Sequence, residues 1–131
     1  ADDSGIVVDA LGGAPGVYSA RYAGPDATDA DRNRKLLDEM RGVPDEERTA
    51  RFVSAVCCAF PDGEEITVTG VCEGRVAYLP RGNDGFGYDP IFLVGKKTYA
   101  ELTPSEKDAV SHRGKALRLL AARLQERSAD R

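Results

Sequence analysis

The residue types that could carry chemistry fall into short segments, the first of which is an acidic pair at the start of the chain. Asp2 and Asp3 precede Ser4 and Gly5, and a run of β-branched residues follows. A carboxylate at a strand end can hold Mg²⁺ through oxygen ligation and orient a water molecule. Because strand side chains alternate between faces, at most one of the two carboxylates can point into a given site. A solvated acidic pair is the alternative, since such pairs are common on protein surfaces.

The second segment is a glycine-rich loop at residues 85–90, with the sequence GFGYDP. Phe86 lies between glycines, and bare backbone around an aromatic ring suits the stacking of a flat base, worth about 1–3 kcal/mol. Asp89 can accept a hydrogen bond from a ring N–H. A tight turn whose phenylalanine caps the core explains the same residues equally well.

The third segment, residues 111–115, reads SHRGK and interrupts a helical pattern. It contains His112, the single histidine of the chain, and Arg113. Arginine commonly reads the O6/N7 edge of a purine, whereas a lone histidine is more often structural. Together with Lys107 and Lys115, these residues also fit a solvated charged face. The sequence contains no P-loop and no nucleophile-elbow motif.

Alternating strand and helix patterns must position these segments. Hydrophobic periodicity and turn residues predict strands at residues 4–11, 50–60, 65–79 and 91–94 and helices at residues 27–41 and 103–127. The first strand is expected to be buried on both faces, and the second and third to form a long β-hairpin closed by a Pro-Asp-Gly turn. The pattern indicates an α/β or α+β protein with a mixed sheet and flanking helices, in a single domain over residues 1–131.

Capping residues predict where the helices begin. Asp26 and Thr28 are both candidate N-caps for the first helix, and Thr103 followed by Pro104 is typical of a helix start. The apolar face of the last helix is predicted to consist of Leu117, Leu120, Ala121 and Leu124.

The overall composition limits the classes of partner. The net charge of −4 argues against a nucleic-acid polymer, which would favour a basic surface, but not against a single nucleotide. The three cysteines include no Cys-x-x-Cys pair, which argues against a disulfide framework or a zinc site and favours a reduced, cytoplasmic compartment. No apolar run is long enough to span a membrane.

Four motifs, in this order and at these separations, resemble the inosine/xanthosine triphosphate pyrophosphatases. They are ADDSG at residues 1–5, GAPGVYSARYAG at 13–24, FGYDPIF at 86–92 and SHRGKAL at 111–117. The resemblance extends to about residue 124 and is most specific in the last two motifs. It implies Mg²⁺-dependent hydrolysis of ITP, dITP and XTP to the monophosphate and pyrophosphate. It also implies an elongated α/β fold with a long central mixed sheet, homodimers and a cytoplasmic location.

The same resemblance implies roles for individual residues. Asp3 matches a catalytic, metal-binding aspartate, and Ser4 matches a neighbouring substrate contact. Phe86 matches the residue that stacks on the purine and Asp89 the residue that bonds to it. The implied substrate-binding set is Ser4, Phe86, Gly87, Tyr88, Asp89, Lys107, His112 and Arg113, in which His112 and Arg113 read the six-oxo edge.

The sequence departs from the family pattern in its phosphate-binding part. Neither the Thr-Gly-Asn-x-x-Lys type loop nor the metal-binding glutamate that follows it has a match. We therefore expect the chain to correspond to roughly the C-terminal two-thirds of the family domain, and to be weakly active or inactive by itself. A non-catalytic fragment that binds purines or dimerises is the alternative. A related pyrophosphatase acting on modified pyrimidines is less favoured by Phe86, His112 and Arg113.

Overall fold

The frame of the chain is a sheet of five strands, in a computed structural model that describes residues 2–83 and 85–129. The strands lie across the sheet in chain order as β1 (Asp2–Val8), β2 (Thr49–Ala59), β3 (Glu65–Val76), β4 (Phe92–Val94) and β5 (Lys97–Thr98). The helices are α1 (Asp29–Glu39), α2 (Pro104–Val110) and α3 (His112–Ala129). Ala1 of the acidic motif and Asp84 of the glycine-rich loop lie outside the described residues.

The α/β class, the long β2–β3 hairpin and the flanking helices are confirmed. The strands described here pair only antiparallel, unlike the mixed sheet that was expected. The reason is that each connection, including the long one that contains α1, returns the chain at the end of the sheet where it left. The hairpin closes where Gly63 adopts a φ of 89° and donates to Phe60 O at 3.0 Å, as the Pro-Asp-Gly turn predicts.

The first strand is shorter than predicted, because β1 ends at Val8 and residues 9–11 form a 3₁₀ turn. Ile6 and Val8 are fully buried on one face of the sheet, whereas Val7 on the other face is half-buried. The main core covers the first face and joins β1 and α1 to Phe52, Phe92 and other side chains of the sheet. The prediction of burial on both faces was therefore right for one face only.

The helix starts follow the capping residues. Thr28, and not Asp26, caps α1, since its side chain accepts a hydrogen bond from Asp31 N at 3.1 Å. Thr103 caps α2 in the same way. The single helix predicted at residues 103–127 was wrong, because Ser111 is extended, with φ −66° and ψ 151°, and separates α2 from α3.

This break sets the rotation of α3 against the sheet. Ala116 is fully buried against the outer half of the hairpin, and Leu120 and Leu124 pack beside it. The apolar-face prediction was right for Leu120 and Leu124 but wrong for Leu117, which is 46% exposed, and for Ala121, which is also exposed. Gly70 of β3 allows α3 to approach closely, since a Cβ there would lie 2.5 Å from Ala116 N. The contact places the first turn of α3 directly over the sheet.

Candidate functional site

A cleft of about 550 Å³ lies between the start of β1, the first turn of α1, the loop at residues 85–89 and the junction of α2 with α3. The predicted site residues that line it are Ser4, Phe86, Gly87, Tyr88, Asp89, Lys107, His112 and Arg113. Its lining also includes Phe52 of β2 and Ser19 of a 3₁₀ segment at Gly16–Arg21. The fold thus brings Ser4 of the first segment together with the glycine-rich loop and with His112 and Arg113 of the third segment.

The loop at residues 85–89 holds an aromatic ring out of the core. Phe86 is 70% exposed, so it does not cap the core as the alternative interpretation proposed. Gly85 and Gly87 adopt φ values of 85° and 61°, which favour glycine because they are left-handed. Asp89 Oδ2 accepts from Phe86 N at 3.0 Å, and Asp89 N donates to Phe86 O at 3.2 Å. The turn therefore projects the ring of Phe86 into the cleft.

Beneath this ring lies a buried ion pair. Lys107 Nζ is 2.6 Å from Asp89 Oδ2, and the Asp89 side chain is only 6% exposed. The same ammonium lies 4.9 Å from the centroid of the Phe86 ring and 5.5 Å from that of Tyr99. A buried charge-assisted hydrogen bond with these ring contacts orders both side chains. The Lys107 ammonium and the Asp89 carboxylate thus meet next to the Phe86 ring.

The imidazole of His112 forms another wall and packs within an aromatic stack. Its ring is 4.7 Å from that of Phe52 at an interplanar angle of 14°. The ring of Tyr99 is also nearly parallel to that of His112, at a centroid distance of 6.0 Å, and its hydroxyl lies 3.4 Å from His112 Nδ1. Burial raises the pKa of Tyr99, so its hydroxyl stays protonated at neutral pH. These contacts fix the histidine ring, and the exposed Arg113 that follows it also lines the cleft.

Tyr88 joins the aromatic loop to the 16–21 segment. It is 5% exposed, and its hydroxyl donates to Ser19 O at 2.6 Å. Burial raises the pKa of Tyr88 to about 12. Ser19 Oγ in turn accepts from Ile6 N at 3.0 Å. Through these bonds β1, the 16–21 segment and the aromatic loop form one continuous wall.

The first turn of α1 adds residues that the sequence did not single out. Asp29 Oδ2 accepts from Gly87 N at 3.0 Å, and Asn33 Nδ2 donates to Gly87 O at 3.1 Å. Arg32 binds Asp29 Oδ1 at 2.5 Å. The hydrogen bond from Gly87 and that from Arg32 lower the pKa of Asp29. The only sequence signal is the four-residue spacing of Asp29 and Asn33, which places them on one helix face.

Asp3 stands apart from this arrangement. It is exposed on β1 opposite Ala55 of β2 and does not line the cleft, although its neighbour Ser4 does. Within residues 2–83 and 85–129, no three His, Cys, Asp or Glu side chains are grouped so as to hold a metal ion. In the same part of the chain, no helix has the length and apolar character needed to cross a membrane.

The fold is an α/β fold whose antiparallel sheet and helices enclose an aromatic, ion-paired cleft. A profile of the Ham1 family matches residues 1–123. The chain therefore belongs to the Ham1 family, which confirms the resemblance seen in its motifs.

Similar proteins support the same assignment. The chain is 56% identical over 126 residues to a protein of Exiguobacterium sp. strain AT1b named dITP/XTP pyrophosphatase, covering 95% of this chain and 63% of that protein. It is 57% identical over 119 residues to a protein of the same name from Geobacillus kaustophilus, covering 89% and 58%. The chain thus spans about three-fifths of the length of these relatives.

Solved structures of related proteins have the same fold. The Ham1 protein of Staphylococcus aureus superimposes with a TM-score of 0.91 at 42% identity, covering 96% of this chain and 66% of that one. A structure from Mycobacterium abscessus, titled nucleoside-triphosphatase / dITP/XTP pyrophosphatase, gives a TM-score of 0.79 at 54% identity. That match covers 92% of this chain and 62% of the other.

Proposed function

We propose that this domain belongs to an enzyme that hydrolyses non-standard purine nucleoside triphosphates (ITP, dITP and XTP) to the monophosphate and pyrophosphate. The observation that carries the proposal is the exposed ring of Phe86 above the buried Asp89–Lys107 pair. A flat base stacked on that ring would place its polar edge against charged and polar side chains. Family membership and the names of the relatives support the same activity.

Base selection follows from the donors and acceptors of the cleft. Both hydrogen bonds to the Asp89 carboxylate within the described residues fall on Oδ2, so Oδ1 can accept the ring N–H of a six-oxo purine. We assign the O6 acceptor of that purine to donors on His112 and Arg113. Adenine presents a donor at this position, which would leave a buried donor of the protein unpaired at a cost of about 1–3 kcal/mol. ITP is therefore expected to be preferred over ATP by roughly five- to 150-fold.

The phosphate chemistry is assigned to the start of β1. We propose that Asp3 orients the attacking water and supplies one oxygen ligand to Mg²⁺, and that Ser4 contacts the substrate. Magnesium commonly binds through one or two carboxylates together with substrate phosphates and water, and the exposed carboxylate of Asp3 fits that mode. The metal, when bound, would neutralise charge on the phosphates.

The remaining proposals concern the state of the protein. We propose that residues 1–131 act as one domain, that the protein is a homodimer and that it works in the cytoplasm. Within the described residues the three cysteines form no disulfide, which fits a reducing compartment. Light scattering coupled to size-exclusion chromatography tests the dimer, because a monomeric mass at micromolar concentration would contradict it.

Release of pyrophosphate from ITP and from ATP with Mg²⁺ tests the proposed reaction. The comparison uses this protein, its Asp3→Asn variant and an Asp26→Asn variant as a matched control. Asp26 is an exposed aspartate outside the cleft. Because the phosphate-binding loop of the family has no match in this chain, we expect weak, ITP-selective release that is lost in the Asp3→Asn variant and kept in the control. Equal release from ITP and ATP would contradict the assigned base pocket, and full activity of Asp3→Asn would contradict the role of that carboxylate.

Purine binding without hydrolysis is a second candidate, favoured by the position of Asp3 outside the cleft lining. The base-binding side chains alone can form such a binding site. Calorimetric titration with inosine monophosphate separates the two functions. Binding of this nucleotide with no release of pyrophosphate from ITP would favour the non-catalytic role.

A further inference from the structure

The ring of Phe86 is ordered by its main chain and hardly at all by packing. With 70% of the residue exposed, little of the ring is packed, and Lys107 Nζ lies 4.9 Å from its centroid. The main-chain N–H and C=O of Phe86 both bond to Asp89, within the loop itself. The main-chain N–H and C=O of Gly87 both bond to α1, through Asp29 and Asn33. All four polar main-chain groups of this dipeptide are therefore satisfied, half of them from another element.

From this geometry we propose that Asp29 and Asn33 are positioning residues for nucleotide binding. This role rests on the proposed function: Asp29 and Asn33 hold the Phe86–Gly87 dipeptide, so that the Phe86 ring is ordered before a base stacks on it. We call the pair of residues the α1 clamp. Ordering a loop in advance raises affinity, because the entropy of fixing it is not lost on binding.

The two clamp residues hold opposite ends of the Gly87 main chain: Asp29 accepts from its N–H, and Asn33 donates to its C=O. Asn33 is 6% exposed, so its amide is fixed by packing as well as by Gly87 O. Asp29 is held from the side by Arg32, which also donates to Ala20 O at 3.3 Å and Ala27 O at 2.9 Å. A clamp anchored at both ends resists rotation of the Gly87 peptide, whose φ of 61° few other residues adopt.

The clamp also explains a polar pattern that helix packing does not require. The second half of α1 buries Leu36 in the main core, where Met40, the residue that follows α1, also lies. The first half of α1 turns Asp29 and Asn33 toward the aromatic loop, on the same side of the helix. A buried asparagine in a helix is costly unless its side chain makes hydrogen bonds. Among the described residues, the Asn33 amide donates to Gly87 O, while its buried Oδ1 has no hydrogen-bond partner.

A tryptophan reporter tests the clamp without relying on catalysis. The chain contains no tryptophan, so a Phe86→Trp background gives fluorescence from the loop alone. We expect Asp29→Ala and Asn33→Ala to lower the steady-state anisotropy of this tryptophan and to raise its quenching by acrylamide. Asp38→Ala and Arg34→Ala serve as matched controls, since both residues are exposed on α1 and Asp38 pairs with Arg41. Unchanged anisotropy in both clamp variants would overturn the inference.

Nucleotide affinity in the Phe86 protein gives the second measurement. Each clamp variant is expected to bind inosine monophosphate roughly five- to tenfold more weakly, the amount that one lost hydrogen bond accounts for. In turnover, KM for ITP should rise while kcat changes little, because the clamp acts on base binding. Asp29→Asn keeps a side-chain oxygen acceptor and should restore most of the affinity, whereas a purely structural role of the charge would leave Asn as weak as Ala.

The outcomes separate this inference from the proposed function. If the wild-type protein does not bind inosine nucleotides, the proposed function fails, and the tryptophan measurement still decides whether the clamp orders the loop. If the wild-type protein binds and the clamp variants bind equally well with circular dichroism melting curves like the controls, the positioning role is wrong. Weaker binding together with a more mobile tryptophan supports it.

Discussion

Substitution of Gly70 by alanine should damage the protein through a contact between the sheet and α3. The added Cβ would lie 2.5 Å from Ala116 N and closer still to His112 O, although real Cβ atoms essentially never approach such atoms within 3.0 Å. The atoms of α3 that the added Cβ would meet all belong to the main chain, so no side-chain rotation relieves the contact. α3 must therefore retreat from β3 by roughly half an ångström at Ala116 and further at His112.

This displacement predicts both a stability loss and a binding loss. Overpacking of this kind costs about 1–3 kcal/mol, which for a chain of this size lowers Tm by roughly 3–12 °C. Because His112 and Arg113 begin α3, affinity for inosine monophosphate should fall about tenfold or more, since small misplacements of binding groups are costly. Urea unfolding and calorimetric titration measure the two effects.

The exposed neighbour Thr69 provides the control. Thr69→Ala lies in the same strand and should change the unfolding free energy by less than about 0.5 kcal/mol, with unchanged affinity. Wild-type stability and wild-type affinity in Gly70→Ala would refute the close contact. Lower stability with unchanged affinity would show that α3 retreats without moving the cleft residues, and would refute the link between this contact and binding.

Three further predictions concern other parts of the structure. Arg48 is 3% exposed, and its guanidinium donates to three main-chain carbonyls at 2.9–3.1 Å. Because the single ammonium of a lysine cannot reach all three carbonyls, Arg48→Lys should lower the free energy of unfolding in urea by about 2–4 kcal/mol. A loss below about 0.5 kcal/mol would contradict this prediction. Tyr99→Phe removes the hydroxyl beside His112 and should reduce the ITP-to-ATP preference about three- to tenfold in pyrophosphate release, with a nearly unchanged melting curve. The pKa of Asp29 lies below the usual 3.8 of an aspartate. Its hydrogen bond with Gly87 N should therefore persist as the pH falls to 3.8 and be lost only at lower pH. An NMR titration of the Gly87 amide shift with a midpoint above pH 3.8 would contradict this prediction.

Several features were readable from the sequence because they depend on local chemistry. The Pro-Asp-Gly turn and the alternation on either side of it predict the β2–β3 hairpin, since a strand has a strict two-residue period. Thr103 and Pro104 predict the start of α2, because capping groups act within one turn of the helix. The exposed position of Phe86 was one of two open interpretations, since flanking glycines suit a projecting ring and a tight turn equally well.

Other features depend on contacts between distant residues and could not be read from local patterns. Residues 111–115 interrupt the helical pattern, but the capping residues and the apolar spacing on either side still predicted one helix over residues 103–127. The extended conformation of Ser111 goes with the approach of α3 to Gly70, on a strand some forty residues earlier. The same rotation exposes Leu117, which helical periodicity alone had placed on the buried face.

The sequence by itself determined the β2–β3 hairpin, the starts of α1 and α2, the family motifs and the residue types of the proposed purine site. Only the tertiary structure decided that the α1 clamp reaches the aromatic loop, that Phe52 and Tyr99 support His112, and that Asp3 lies outside the cleft lining. The physical reason is that turns, caps and strand periodicity act over a few residues. A cleft instead depends on side chains that meet only after the sheet and helices have packed, and their spacing in the chain carries no record of that contact.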